Sequence, residues 1–266
     1  MALRILTLNI WNVSGGWSER REAVLHVLRE EAPDVVCLQE VIENDRGNQA
    51  AWIADALGGW SWTYGGEQSL ARDGARFGNA VLSRWPIDGS SSLRLPYRDD
   101  AADIQRVAVH ARTGGVDVVC THLSWQLHDG ALRERQVQAL ADFAEEVTDP
   151  DATVGPVIAG DLNADPDSTE VRYLTGLTSL DGRSTFFWDA WRTAGGGGPG
   201  LTWSDENPHA AAEHEPQRRI DYVLSKLRGT TGNGRPVECR VVAGTTVDGV
   251  WPSDHFGLLA VLTDGT

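Results

Sequence analysis

Short apolar stretches alternate along the chain with longer segments whose apolar residues recur at helical spacing, a pattern of strands and helices in alternation. Leu3–Trp11 is apolar and β-rich and predicts a first strand. Ser18 stands where it can cap a helix over Glu19–Glu30, in which Val24, Leu25 and Leu28 fall at helical spacing. Pro33-Asp34 ends that connection, and Val35–Val41 is a short apolar strand of the kind covered on both faces. Asn48–Leu57 predicts a second helix, closed by Gly58-Gly59. Strands are expected at Trp60–Tyr64, Asn79–Ser83 and Ile104–Ala111, the last joined to Val116–Leu123 by a hairpin through Thr113-Gly114-Gly115. Ala131–Val147 is an amphipathic helix with Leu132, Val137, Leu140 and Phe143 on one face. Val157–Ala159 predicts a strand, Ser168–Leu174 a short helix, and Arg219–Leu224, Val237–Val242 and Phe256–Leu262 late strands. Gly195–Gly198 and Glu206–Gln217 read as loops, because strand signals resume directly after them. Strands bounded by helices in both halves imply an α/β fold: two sheets packed face to face, helices outside, one domain over residues 1–266.

Composition narrows the classes. A chain of 266 residues with 41% hydrophobic and 23% charged residues is neither disordered nor fibrous. No apolar run approaches the roughly 20 residues that cross a bilayer. The N-terminus enters a strand with no apolar leader, so a cytoplasmic location is expected, although a trimmed signal would leave no trace. The three cysteines lack metal-type spacing, and Cys37 and Cys120 sit in apolar strands, where a thiol acts as a small hydrophobe. A disulfide framework is not expected. The formal charge of −15 leaves no broad positive face for nucleic acid, but it suits a divalent cation that brings its own charge to a phosphate.

Polar residues interrupt the apolar strands in one place, at their ends. Asn9 closes Leu6-Thr7-Leu8-Asn9, Glu40 lies in Cys37-Leu38-Gln39-Glu40-Val41, and His122 ends Cys120-Thr121-His122. Asp161 and Asn163 follow in Gly160-Asp161-Leu162-Asn163, Asp221 in Arg219-Ile220-Asp221-Tyr222, and Asp254 and His255 in Ser253-Asp254-His255-Phe256. Taken singly, each has an ordinary explanation: Asn9 as a turn cap, Asp221 as a partner of Arg219, His122 as a satisfied core histidine. Burying all of them without partners or a metal would cost several kcal/mol each, so convergence on one mouth of the sandwich is the expectation.

The ordered series from Asn9 to His255 resembles the endonuclease/exonuclease/phosphatase superfamily. Its Gly-Asp-Leu-Asn and late Ser-Asp-His-Phe runs are specific for the superfamily and uninformative about substrate. The resemblance implies a DNase I-like four-layer α/β sandwich of two mixed sheets. It also implies hydrolysis of a phosphodiester or phosphomonoester by in-line attack of water, dependent on Mg²⁺, with Mn²⁺ as a substitute. Hard magnesium takes oxygen ligands, which makes Glu40 the candidate direct ligand, with Asn9 and Asp254 beside it. Asp161 and Asn163 would orient the attacking water or hold a second metal. Asp221 would bond one nitrogen of His255, and His122 would donate to a phosphoryl or leaving oxygen. Asp161 and His255 both stand as candidates for the base. Some members carry an acidic residue two positions after the first-strand Asn; here Trp11 stands there, and the metal shell has one carboxylate fewer.

Substrate contacts are less defined. Asn79, in Gly78-Asn79-Ala80-Val81-Leu82-Ser83-Arg84, matches a motif of bacterial members and is either a phosphate contact or a strand-end residue. Most of the eleven tryptophans belong in the core; Trp125, Trp203 and Trp251 flank site residues and are candidates for the substrate mouth. Arg106 and Arg218 either reach the phosphate or form surface ion pairs, and His128, His209 and His214 fall in loops and read as solvated. The expected protein is a phosphoesterase acting on a small-molecule or lipid-like substrate. The alternative is a nuclease of the same superfamily, demoted by the charge. A catalytically silent binding module is disfavoured, because no position of the series is lost.

Overall fold

In a computed structural model that describes residues 2–68, 74–98, 104–228 and 232–263, the chain forms two mixed sheets packed face to face. The first half contributes β1 (Leu3–Asn9), α1 (Trp17–Glu31), β2 (Val35–Asn44), β3 (Gly47–Asn48), α2 (Gln49–Ala56), β4 (Ser61–Gln68), β5 (Arg76–Ser83) and β6 (Ile87–Arg94). There follow β7 (Val107–Thr113), β8 (Val116–His122), α3 (Gly130–Glu146), β9 (Val157–Asp161), α4 (Thr169–Leu174), β10 (Trp188–Asp189), α5 (Ala190–Ala194), α6 (Pro208–Ala211), β11 (Asp221–Ser225), β12 (Pro236–Val242) and β13 (Gly257–Leu262). One sheet runs β12-β13-β1-β2-β5-β4, with β3 on β2, and the other β10-β11-β9-β8-β7-β6. Each holds one parallel pair at its centre, β1 with β2 and β8 with β9; the remaining pairs are antiparallel.

Strand alternation builds the layers. Leu3 and Ile5 of β1 point into the core between the sheets, against Val109, Val118 and Val157, whereas Leu6 and Leu8 point outward under α1 and α2. The outer face of the second sheet, with Ala108, Val119 and Ile158, is covered by Val137, Leu140 and Phe143 of α3. No helix of the described residues is long and apolar enough to cross a membrane, and the three cysteines are buried and free.

Several local expectations need correction. Ser18 lies inside α1, whose N-cap is Gly16 in a left-handed conformation with no side-chain cap; Asn48 and Ser168 do cap α2 and α4. The Glu206–Gln217 loop contains the short helix α6, started by the Asn207 side chain and Pro208. The serine-rich β6 shows little apolar alternation because it is an exposed edge strand, and it escapes a pattern that rests on burial. Ile104 to Arg106 precede β7 instead of opening it.

One buried charge network lies away from the strand ends. Asp117 accepts from His110 Nε2 at 2.7 Å, from Arg112 Nε at 3.0 Å and from the Asp149 backbone N–H at 2.8 Å. Burial opposes its charge, but the His110 contact and these donors together hold its carboxyl below the ordinary value. A depressed carboxylate contributes stability that is full above its unfolded value near 3.8 and is lost as pH falls through the folded value. Asp117→Asn is therefore expected to cost about 1.5–3 kcal/mol near neutral pH. Urea unfolding from pH 7 to 3 should show the gap to wild type closing below pH 4; a constant gap would contradict the assignment.

Candidate active site

The two parallel pairs end at the same edge of the sandwich, the position where open α/β sheets form ligand crevices. Asn9 ends β1, His122 ends β8 and Asp161 ends β9, with Asp161 in register between His122 on one side and Asp221 on the other. His255 stands just before β13. Glu40 projects from a bulge in β2, where pairing with β5 jumps between Leu38 and Val41, and its φ is +61°. Bulges commonly re-aim a side chain beside a site. Trp11, Asn12 and Asn163 are also left-handed, at φ of 54°, 43° and 49°, so strained backbone clusters at this edge. Gly160 lets β9 pass β8 there, since a Cβ would sit 2.0 Å from the Thr121 carbonyl oxygen.

One cleft of about 240 Å³ opens at this edge, and its wall includes Asn9, Trp11, Asn12, Glu40, His122, Trp125, Asp161, Asn163, Trp203, Arg218, Asp254 and His255, with Asp221 behind it on His255. Asp161 is its hub. Its Oδ1 accepts the Asn163 backbone N–H at 2.9 Å, and its Oδ2 accepts the Asn9 amide at 3.2 Å. His122 Nε2 and His255 Nε2 lie 3.4 Å and 3.8 Å from that Oδ2. His255 Nδ1 bonds Asp221 Oδ2 at 3.0 Å, and Trp203 packs edge-on against the same ring. Asn163 Nδ2 ties the turn to the Leu123 carbonyl.

Burial, and after it the Asp221 charge, pushes the Asp161 carboxyl up to about 7, while His255, the Asn163 N–H and the Asn9 amide resist the rise. Burial favours a neutral His255, but Asp221, with Asp161 and Asp254 behind it, outweighs that and pushes the ring up to about 10. His122 is driven well below its ordinary value by burial, with Arg106 and His255 adding to the effect. Burial also pushes Asp254 up to about 6, Glu40 adding to the rise and His255 opposing it.

Two groups have the donors for a cation. Asp161, Asp221 and His255 offer atoms within 4.8 Å of one another, but the His255–Asp221 bond already satisfies part of that set. Glu40 and Asp254 line the same cleft, where the Glu40 charge adds to the cost of ionising Asp254, and Asn9, whose Oδ1 accepts the Trp11 backbone N–H at 3.0 Å, lines it with them. That oxygen set fits a hard divalent ion.

Not every expected contact meets the cleft. Asn79 turns its amide to the Val107 carbonyl at 2.7 Å, and Arg106 sits beside Phe77 behind His122; neither is in the wall. Trp251 stacks on Phe256 away from it, whereas Trp125, 47% exposed, and Trp203 do line it. Arg218 reaches the wall while paired to Glu215, and Arg219 bonds Asp189 instead of Asp221. His128 and His214 are exposed, but His209 packs on Trp11. Sequence reasoning missed Asn12, whose amide donates to Glu40 Oε2 at 2.6 Å, and Arg20, buried behind the loop that carries Trp11 and Asn12. The signal for Arg20 was available: it precedes Val24 and Val27 by four and seven residues, on the apolar face of α1.

Two packed mixed sheets with this polar cleft at the strand ends define the DNase I-like class of phosphoesterases. The sequence model of the Endonuclease/Exonuclease/phosphatase family matches residues 9–255, and the chain belongs to that family, whose members are hydrolases acting on phosphate esters. Nocturnin of Xenopus laevis is 26% identical over 269 residues, covering 91% of this chain and 64% of that protein. Tyrosyl-DNA phosphodiesterase 2 of Mus musculus is 26% identical over 263 residues, covering 95% of this chain and 64% of that one. The chain thus spans just under two thirds of the length of either relative. The solved structure of D. rerio TDP2 complexed with single strand DNA product shares the fold, with a TM-score of 0.76 at 19% identity over 98% of this chain and 99% of that one.

Proposed function

We propose that the protein, as one domain over residues 1–266, hydrolyses a phosphodiester or phosphomonoester by in-line attack of water, on a small-molecule or lipid-like substrate. The observation that carries this reading is the Asp161 hub, bonded by two amide donors and flanked by the His122 and His255 rings, with the Glu40 and Asp254 carboxylates in the same cleft. Glu40 and Asp254, with the Asn9 oxygen, would hold Mg²⁺, or Mn²⁺ in its place. When bound there, the ion supplies positive charge to the phosphoryl oxygens.

The chain's own groups divide the remaining work. Asp161, held by the Asn163 N–H at one oxygen, orients the attacking water and takes its proton at Oδ2. Asp221 fixes Nδ1 of His255 and stabilises its charge, so Nε2 faces the cleft as a donor to a phosphoryl oxygen. His122, neutral, presents Nε2 at the leaving-oxygen side of Asp161. Trp203 holds the His255 ring, and Trp125 borders the entrance.

Activity on bis-p-nitrophenyl phosphate should need Mg²⁺ or Mn²⁺ and vanish in EDTA. Glu40→Gln should weaken calorimetric Mg²⁺ binding by about 10-fold or more while the metal-free melting temperature stays near wild type. Full turnover in chelator would sink this reading. A nuclease is the second reading, favoured by the named relative tyrosyl-DNA phosphodiesterase 2 and by the single strand DNA product in the D. rerio complex. Cleavage of duplex DNA with binding that survives physiological salt would bring it forward, against what a charge of −15 favours.

A further inference from the structure

The cleft has a wall that the site series does not account for. Glu213, Glu215 and Arg218, from the segment after α6, line it together with the strand-end residues. Arg218 is 6% exposed and presents a cation to the cavity, but its Nη2 is bound to Glu215 Oε2 at 2.6 Å. Its Nε is buried with no hydrogen-bond partner. The one guanidinium on this wall is therefore anchored and already neutralised by Glu215. Glu213 is exposed at the mouth and has no ion-pair partner among the described residues. The segment thus sets two carboxylates against one cation in the wall of the cleft.

We infer that Glu213, Glu215 and Arg218 form a charge filter that admits phosphodiesters carrying one negative charge and rejects polyanions. The inference rests on the reading of the cleft as a phosphodiesterase site. A single phosphate is matched by the cation that Glu40 and Asp254 would hold, while Arg218 stays engaged by Glu215. A second phosphate on the same molecule meets the Glu213 and Glu215 carboxylates with no further cation to receive it. Like charges juxtaposed in a partly desolvated site reject the wrong partner, and the overall negative charge slows its approach. Glu215 has two effects, since it adds a carboxylate and also withdraws Arg218 from service. Removing its charge while keeping its shape should release the guanidinium toward an incoming phosphate.

The test compares two substrates with the same scissile bond: thymidine 5′-(p-nitrophenyl phosphate), and its counterpart bearing a 3′-phosphate. Wild-type protein with Mg²⁺ should favour the singly charged compound in kcat/KM by about 10-fold or more. Glu213→Gln/Glu215→Gln should cut that ratio about tenfold, mainly by lowering KM for the 3′-phosphorylated compound. Glu213→Gln alone, at an exposed position, should cut it partway with an unchanged melting temperature. Raising the salt to 0.5 M should shrink the wild-type ratio and leave the double variant nearly unaffected. An unchanged ratio in both variants, or a wild-type preference for the 3′-phosphorylated compound, would overturn the filter while the phosphodiesterase reading stands. Hydrolysis of neither compound by the wild type would overturn that reading, and the filter with it.

Discussion

His255→Ala is expected to lower kcat on a phosphodiester by about 10²–10⁴-fold with little change in KM, the range for a transition-state donor of this type. The ring is fixed from two sides, by Asp221 Oδ2 at Nδ1 and by Trp203 edge-on, which leaves Nε2 facing Asp161 and the cleft. Asp221→Asn keeps the shape but removes the charge that keeps the ring protonated against its burial, so its loss should be smaller. Groups that act as one unit are non-additive, so the double variant should be scarcely slower than His255→Ala alone. Multiplicative losses in single-turnover measurements would mean that the two act separately. The fallback in which Asp221 is held by a neighbouring arginine has no support, because Arg218 is on Glu215 and Arg219 on Asp189. The pH–rate profile adds a sharper readout: Asp221→Asn should bring the loss of activity on the alkaline side to lower pH, since the raised value of His255 depends mainly on that carboxylate.

The parts of this site legible in the sequence share one physical property: they are polar residues at the ends of strands with strong apolar patterns. Asn9, His122, Asp161 and Asp221 sit in unbroken strands, where side-chain direction follows from pairing, so the sequence order of the motifs carried over into a shared edge. The illegible parts depend on backbone shape. The bulge that aims Glu40, and the left-handed Trp11 and Asn12, have no composition signal, because none of these residues is a glycine. Asn79 carried two readings, a phosphate contact or a strand-end residue, and its hydrogen bond favours the second. The β5 strand turns the amide into the Val107 backbone carbonyl between the sheets. Edge strand β6 and helix α6 were missed because short exposed elements bury too little to leave a periodic trace.

Arg20 belongs to none of the strand-end motifs of the chain. Its side chain is 1% exposed, and it donates to the carbonyls of Ile10, Trp11, Asn12, Ser14 and Pro252 at 2.6–3.1 Å. Those carbonyls belong to the loop after β1 and to the turn just before Ser253-Asp254-His255. One guanidinium therefore clamps the segment whose Asn12 holds Glu40 to the segment that carries Asp254. Burial lowers the Arg20 pKa to about 10, with Asp254 and Glu40 pulling the other way, so it stays charged at neutral pH. Arg20→Ala should cost about 3–5 kcal/mol in urea unfolding without metal, since it removes a buried charge and orphans buried carbonyls. Arg20→Lys keeps the charge but offers three donors to five carbonyls, so an intermediate loss is expected. Arg20→Met fills the volume with no donors at all; if it matches wild type, the bonds contribute nothing and the assignment is wrong. Calorimetric Mg²⁺ titration of the folded Lys variant separates scaffold from positioning. If Arg20 aims the Glu40 and Asp254 carboxylates, affinity should fall about 10–100-fold, as for other residues that orient metal ligands. Wild-type Mg²⁺ affinity in a destabilised Lys variant would reduce Arg20 to a structural clamp.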